Sequence, residues 1–152
     1  MKFFRIFLAL FLFFPALTLY AGTSEPSKSE TGVTPLTKTE FIKRIHDFET
    51  HPKQWKYEGK KPSIVDFYAT WCGPCKRLSP VLEELSKEYA GQIDFYKIDV
   101  DKEPEIARAF GISSVPTLLF SPMKGDPSGA QGALSKEQLK EVIEKTLLKN
   151  EK

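Results

Sequence analysis

Apolar and polar positions along the chain change between a strand-like and a helix-like period, so the pattern predicts alternating strands and helices. Dense apolar runs rich in β-branched and aromatic residues predict strands, and shorter extended pieces flank them. The runs are 63–69 ("SIVDFYA"), 93–100 and 117–120, and the shorter pieces are 33–36 and 130–133. Apolar residues spaced three and four apart predict helices after Thr37, from Pro74 to Tyr89, after Asp101 and after Ser135. This alternation predicts an α/β fold with a central mixed β-sheet flanked by helices on both faces.

Three of the predicted helices follow residues that are typical N-caps. Thr37 with Glu40, and Ser135 with Gln138, have the spacing of a capping box, in which each side chain binds the other residue's backbone N–H. Asp101 precedes the third predicted helix and is predicted to cap it. These boundaries predict one folded domain over residues 36–150, preceded by a flexible linker over 22–35 that is rich in Ser, Thr, Glu, Gly and Pro.

The N-terminal sequence "MKFFRIFLALFLFFPALTLYAG" has the organisation of a signal peptide. Lys2 and Arg5 precede an apolar stretch that ends before Ala21, and this stretch is shorter than the ~20 residues of a membrane-spanning helix. We therefore expect residues 1–21 to be removed and the protein to be exported to the periplasm. Leu19 is large for its place two residues before the cleavage site, so an uncleaved membrane anchor remains an alternative.

The charge balance excludes some classes of partner. Removal of residues 1–21 would take away Lys2 and Arg5 and no acidic residue, which leaves 20 basic and 20 acidic residues. A protein of near-zero net charge without a basic stripe has no electrostatic footprint for nucleic acid or for an anionic membrane surface. We expect neither partner.

Cys72 and Cys75 are the only two cysteines of the chain, and they lie in "FYATWCGPCK". A structural disulfide across two intervening residues would constrain little of the unfolded chain. A closed zinc site needs four ligands, and the sequence contains no second cysteine pair; His46 and His51 are interpreted as surface residues, so no metal is expected. The pattern therefore favours a redox-active pair.

The predicted position of the pair at a strand-to-helix junction assigns different roles to the two thiols. Backbone donors at a helix N-terminus stabilise a thiolate, which predicts Cys72 as the nucleophile. Cys75, about one turn further and predicted to be more buried, would resolve a mixed disulfide with the substrate. Gly73 leaves the reactive sulfur unshielded, and Pro74 stiffens the first turn.

Asp66 interrupts the apolar run "SIVDFYA". Burial would raise its pKa, and from below the pair it would exchange a proton with Cys75, with Lys97 as its candidate partner. The alternative is that Asp66 points to solvent from one face of the strand.

Pro116 begins an apolar run, a place where strands tolerate proline. A cis bond before it would place the Val115 backbone beside Cys72, where it could pair with an extended substrate, although most X-Pro bonds are trans.

Four stretches, "VDFYATWCGPCK", "YKIDVD", "FGISSVPTLLF" and "GALSKEQLKEVIEKTL", together resemble the thioredoxin family over about 33–148. The resemblance implies the thioredoxin fold, Cys72 as attacking thiol, Cys75 as resolving thiol, Asp66 as buried acid and Pro116 as a cis proline. It also implies that Trp71, Val115 and Gly132 line the substrate-binding surface. No cofactor is expected other than the redox-active disulfide, and we expect a monomer.

The function implied by this resemblance is a protein-disulfide reductase that maintains the redox state of exported proteins. Two features depart from ordinary members. The exported N-terminus implies a membrane protein as thiol-electron donor, and the longer loop "SPMKGDPSGAQ" is interpreted as a neutral variation, with an effect on partner choice near Gly132 as the alternative. A disulfide-donating oxidant or isomerase is one alternative, and a redox-inert binding module is another.

Overall fold

The computed structural model describes residues 32–149, so the predicted signal peptide and most of the predicted linker lie outside the described residues. The strands are β1 (Thr34–Pro35), β2 (Ser63–Tyr68), β3 (Asp94–Asp99), β4 (Thr117–Ser121) and β5 (Ser128–Gln131). The helices are α1 (Lys38–Arg44), α2 (Gly73–Glu88), α3 (Pro104–Ala109) and α4 (Lys136–Val142), and α4 continues as a π-helix over Ile143–Leu148. Within 32–149, none of the helices has both the length and the apolar character needed to cross a membrane.

The five strands form one mixed sheet in the order β1-β3-β2-β4-β5, which confirms the predicted fold class. β1 and β2 each pair with β3 in parallel, whereas β4 pairs with β2 and β5 in antiparallel fashion. β1 lies within the last two residues of the range assigned to the linker, so the sheet begins at Thr34. β2 is the central strand and is hydrogen-bonded on both sides.

Successive residues of the central strands face opposite layers, because side chains in a strand alternate between its two faces. Ile64 of β2 packs in a core with Leu78 of α2 and Leu139 of α4. Its neighbour Val65 packs in a second core with Phe41 of α1 and Ile106 of α3. The helices therefore cover both faces of the sheet, as predicted.

Both predicted capping boxes are present, whereas the predicted cap at Asp101 is wrong. Thr37 with Glu40, and Ser135 with Gln138, make the reciprocal bonds that define the motif. The N-cap of α3 is Glu103, and its side chain makes no capping bond. The reason is that the N–H groups of Lys102 and Glu103 both donate to the Asp99 carbonyl, so the chain forms a turn after β3. The helix begins only after this turn, at Pro104, a residue without an N–H.

His46 is buried, so its interpretation as a surface residue is wrong. Only 5% of its surface is exposed, its Nδ1 lies 3.1 Å from the Lys56 carbonyl oxygen, and its ring centroid lies 4.6 Å from that of Trp55. The segment after α1 folds back over the end of that helix and covers the ring. His51 is half-buried.

The segment 121–131 contains the end of β4, the hairpin tip and β5, so its last residue, Gln131, adjoins Gly132 while the tip lies at the far end of both strands. Thr117 pairs with Phe67 near the end of β2, and Ser121 pairs with Ser63 at its start. Four residues of strand span about 13 Å, so the tip lies at the opposite edge of the sheet from Gly132. β5 then runs back along β4 to the end of the strands nearest the disulfide, where Gly132 donates its N–H to the Pro116 carbonyl at 2.8 Å.

Candidate active site

The cysteine pair lies where the central strand passes into α2, as the sequence predicts. Cys72 is the N-cap residue of α2, with φ of −77° and ψ of 110°, and its Sγ accepts the Cys75 N–H at 3.1 Å. The turn is held by the Cys72 N–H, which donates to the Ala69 carbonyl at 3.2 Å. The Val100 N–H donates to the Tyr68 carbonyl at 2.9 Å and joins the adjacent ends of β2 and β3.

Cys72 and Cys75 form a disulfide with their Cα atoms 5.3 Å apart. The exposed fractions of the two residues are 4% and 3%, so the predicted difference in burial between them is not observed. Gly73 and Pro74 between them are exposed. What distinguishes the two sulfurs is the environment, because Cys72 Sγ receives a backbone N–H at the positive end of a helix whose first turn contains no acidic residue.

The loop that precedes β4 also contacts the cysteine pair. The Val115–Pro116 peptide bond is cis, the isomer that the resemblance implies, and the Val115 carbonyl oxygen lies 3.6 Å from Cys72 Sγ. Gly132, the predicted third part of the substrate surface, is joined to this loop through the Pro116 carbonyl. Its φ of +89° is a conformation that L side chains rarely adopt, which explains glycine at this position. The loop before β4 therefore meets the disulfide through Val115, and Gly132 is joined to that loop.

Trp71 is the most exposed large apolar side chain beside the disulfide, with 68% of its surface accessible. Its indole Nε1 donates to Asp101 Oδ2 at 2.9 Å. Asp101 is held in turn by its own N–H, which donates to Asp99 Oδ1 at 3.1 Å. Sequence reasoning missed this contact because Asp101 has the local pattern of a helix cap, and nothing local indicates a partner 30 residues away.

Asp66 is buried, with 4% of its surface exposed, so the solvent-facing alternative is wrong. It lies in register with Lys97 on β3 and Leu118 on β4, on the sheet face that α2 covers. Burial raises the pKa of the Asp66 carboxyl to about 7, and the charge of half-buried Lys97 opposes part of this rise. Asp66 Oδ1 has no hydrogen-bond partner. Asp66 is therefore a buried carboxyl whose pKa lies close to neutral pH, on the face that also receives the helix of Cys75.

The predicted site residues thus fall into two groups. One group lies around the disulfide: Trp71, Gly73 and Pro74 are exposed, Val115 is half-buried, Pro116 is buried, and Gly132 bonds to Pro116. The other group is Asp66 and Lys97, which are cross-strand neighbours. In residues 32–149 no cluster of three or more His, Cys, Asp or Glu side chains is arranged to hold a metal ion. The chemistry available at this site is that of the two sulfurs and a buried carboxyl.

The disulfide lies at the start of a helix and packs in a small apolar cluster with Ala69. This is the arrangement of a thiol-disulfide oxidoreductase. The family model for thioredoxin matches residues 32–145, and the chain belongs to the thioredoxin family. Its activity is therefore that of a thioredoxin-type disulfide oxidoreductase.

Known proteins resemble the chain over most of its length. It is 46% identical over 108 residues to a thioredoxin of Borreliella burgdorferi, which covers 71% of this chain and 92% of that protein. It is 38% identical over 135 residues to the chloroplastic M-type thioredoxin of Spinacia oleracea, covering 88% of this chain and 75% of the relative. A crystal structure of chloroplastic thioredoxin z is 26% identical, with a TM-score of 0.62 over 78% of this chain and 96% of that chain.

Replacement of Asp66 by Asn should make the stability less dependent on pH. Because folding raises the Asp66 pKa from 3.8 to about 7, wild-type stability is lost as pH rises from about 4 through about 7. Asp66→Asn removes this loss. The free energy of unfolding of the variant should therefore exceed that of the wild type by up to about 4 kcal/mol at pH 8, and the difference should vanish near pH 4. Urea unfolding of the oxidised proteins at pH 4, 6 and 8 measures the difference. A gain that is equal at all three pH values would contradict the raised pKa.

Proposed function

We propose that this protein is a protein-disulfide reductase that acts on exported proteins through a Cys72–Cys75 dithiol-disulfide relay. The observation that carries the proposal is the position of Cys72 at the N-cap of α2. There its sulfur accepts a backbone N–H at 3.1 Å and lies 3.6 Å from the carbonyl oxygen of Val115. The backbone N–H stabilises a thiolate at Cys72, and the Val115 carbonyl marks the backbone beside this sulfur along which an extended substrate segment would lie. Gly73 and Pro74 support the reducing direction, because similar reductants carry this pair between their cysteines.

The first step is attack by the Cys72 thiolate on one sulfur of a substrate disulfide. A new S–S bond forms between Cys72 and the substrate, the substrate S–S bond breaks, and the leaving sulfur departs as a thiolate that takes up a proton. The helix N-terminus stabilises the Cys72 anion before this step. Exposed Gly73 and Pro74 leave room for the substrate on the α2 side.

The second step is attack by Cys75 on the Sγ of Cys72. The Cys75 thiol gives its proton to the Asp66 carboxylate, the mixed disulfide breaks, and the second substrate sulfur leaves as a thiolate that is then protonated. Two electrons and two protons have then passed from the protein dithiol to the substrate. Support for Asp66 as proton acceptor comes from its pKa of about 7, which makes both protonation states accessible near neutral pH. Lys97 is its charge partner on the neighbouring strand.

The substrate segment is proposed to lie across the loop that contains the cis proline. Its backbone would pair with Val115, and its side chains would contact Trp71 and the region of Gly132. The 68% exposure of Trp71 supports this assignment, because a large exposed apolar side chain beside a reactive group is a typical protein-binding feature.

The reaction leaves an oxidised protein, which needs two electrons from another dithiol. For an exported protein we propose a membrane protein that transfers thiol electrons outward, because a cytosolic reductase would not reach it. This part of the proposal rests on the N-terminal sequence, with Lys2 and Arg5 before its apolar stretch.

The reduction potential of the pair tests the direction of electron flow. Thioredoxins that reduce proteins have reduction potentials of about −270 mV, whereas a strong oxidant of this fold has a reduction potential of about −120 mV. We expect a value close to the first when the protein is equilibrated with defined thiol-disulfide buffers and the free thiols are trapped. A value near that of the glutathione pool or above it would assign the protein as an oxidant or isomerase.

A matched cysteine variant separates chemistry from binding. Cys72→Ser should abolish disulfide reduction, whereas Cys75→Ser should retain attack and accumulate the mixed disulfide. If Cys72→Ser retained full function in cells, the protein would be a redox-inert binding module instead.

Asp66→Asn should slow the resolving step and leave the attacking step unchanged. Loss of a positioned proton acceptor should reduce the rate of mixed-disulfide breakdown by about 10²-fold at pH 8, the lower end of typical acid–base contributions. The rise of this rate through about pH 7 should also disappear in the variant. Stopped-flow fluorescence with rapid acid quenching measures both steps, and an unchanged pH profile would contradict the assignment.

The mature N-terminus tests the location. Cleavage predicts a protein that begins near Gly22 and is recovered in the periplasmic fraction. A protein that retains Phe3 and sediments with membranes would instead be the anchored form. N-terminal sequencing of both fractions decides between them.

A further inference from the structure

The guanidinium of Arg77 lies beside Gly73, the residue that follows Cys72. Arg77 follows Gly73 by one helical turn, the spacing at which side chains on a helix are neighbours. Its Nη1 lies 4.0 Å from the position that a Cβ atom on Gly73 would occupy. Arg77 and Gly73 are both exposed. A positive charge therefore stands beside Gly73 on the exposed surface of α2, one residue from Cys72 in the sequence.

This charge has no counter-ion among the residues that the structure describes. Within residues 32–149, the side chains of Arg77 and its neighbour Lys76 make no ion pair and no hydrogen bond. Further along the same helix the pattern is different, because Glu84 pairs with Lys136 at 2.6 Å and Glu88 pairs with Lys140. The cations at the dithiol end of α2 thus remain available to another molecule.

The first turn of α2 also lacks the acidic residue that the other helices carry. The first turns of α1, α3 and α4 contain Glu40, Glu105 and Glu137, whereas that of α2 contains none. An acidic residue there would oppose the thiolate and would pair with Arg77. Because there is no such residue, the positive charge of Arg77 beside Gly73 is not opposed within the first turn of α2.

We propose that Arg77 is a specificity-determining residue that favours substrates with Asp or Glu beside the disulfide attacked by Cys72. The inference rests on the proposed function only in that Cys72 must form a mixed disulfide with the partner. The carboxylate would pair with the guanidinium while the substrate segment crosses the exposed surface of Gly73. An exposed ion pair of this kind contributes a modest selectivity, about two- to five-fold in rate.

The test uses two disulfide-bonded peptides that differ only in the residue beside one cysteine, Glu in one and Lys in the other. Rates of mixed-disulfide formation are measured for the full-length protein and divided by the rates with dithiothreitol, which removes the intrinsic difference between the peptides. The wild-type protein should prefer the Glu peptide by about two- to five-fold at low salt. This preference should shrink at 1 M salt, where exposed charges are screened within about 3 Å.

Three variants locate the preference. Arg77→Gln should lower the Glu/Lys rate ratio to about one, Arg77→Lys should keep most of it, and Lys87→Gln, which removes a charge from the last turn of the same helix, should leave it unchanged. An unchanged ratio in Arg77→Gln would overturn the inference. An equal slowing with both peptides would also overturn it, because Arg77 would then act on the Cys72 thiolate and not on the substrate.

Measurement in both directions keeps this inference separate from the proposed function. If the oxidised protein oxidises the dithiol peptides and the reduced protein does not reduce their disulfides, the reductase assignment fails. The Glu/Lys ratio in the oxidising direction then still tests Arg77, since the same mixed disulfide forms in both directions.

Discussion

The central position of β2 is the constraint on which the rest of the site depends. This strand is hydrogen-bonded to β3 on one side and to β4 on the other, so its carboxyl end cannot move without disturbing the whole sheet. The chain leaves it through one short turn that is closed by the bond from the Cys72 N–H to the Ala69 carbonyl. α2 therefore starts at a fixed point, and Cys72 becomes its N-cap. The antiparallel pairing of β4 with β2 then begins beside the same turn, which places Val115 next to the sulfur.

The same central strand carries a cost for stability in the form of Asp66. Its neighbours in the strand pack into the two cores, and its own carboxyl faces the layer under α2 with one oxygen unpaired. Desolvation disfavours the charged form there, and Lys97 compensates only in part. An apolar residue at this position would avoid the desolvation cost that the Asp66 carboxyl carries.

The exposed part of the site combines an apolar and a charged element. Trp71 offers an aromatic surface that Asp101 holds in place, and the Arg77 guanidinium lies beside Gly73 without an ion pair among residues 32–149. Further along α2, Glu84 and Glu88 pair with Lys136 and Lys140 of α4. Features that could distinguish substrates are therefore concentrated around the disulfide, whereas the tip of the long β4–β5 hairpin lies at the other edge of the sheet.

The sequence by itself determined those parts of the protein that depend on neighbours within one helical turn or one strand. Periodicity predicted the main strands and helices, and three-residue spacing predicted the capping boxes at Thr37 and Ser135. The spacing of Cys72 and Cys75 predicted the redox pair, and the apolar surroundings of Asp66 indicated its burial. Only the tertiary structure decided the contacts that join distant segments, because these depend on strand order and register. The register of β4 against β2 places Val115 beside the disulfide and Gly132 next to Pro116. The turn after β3 places Asp101 where it binds the Trp71 indole instead of capping a helix. Packing of the segment after α1 buries His46. Such contacts arise between residues that are 10 to more than 40 positions apart, where no local period carries information about the partner.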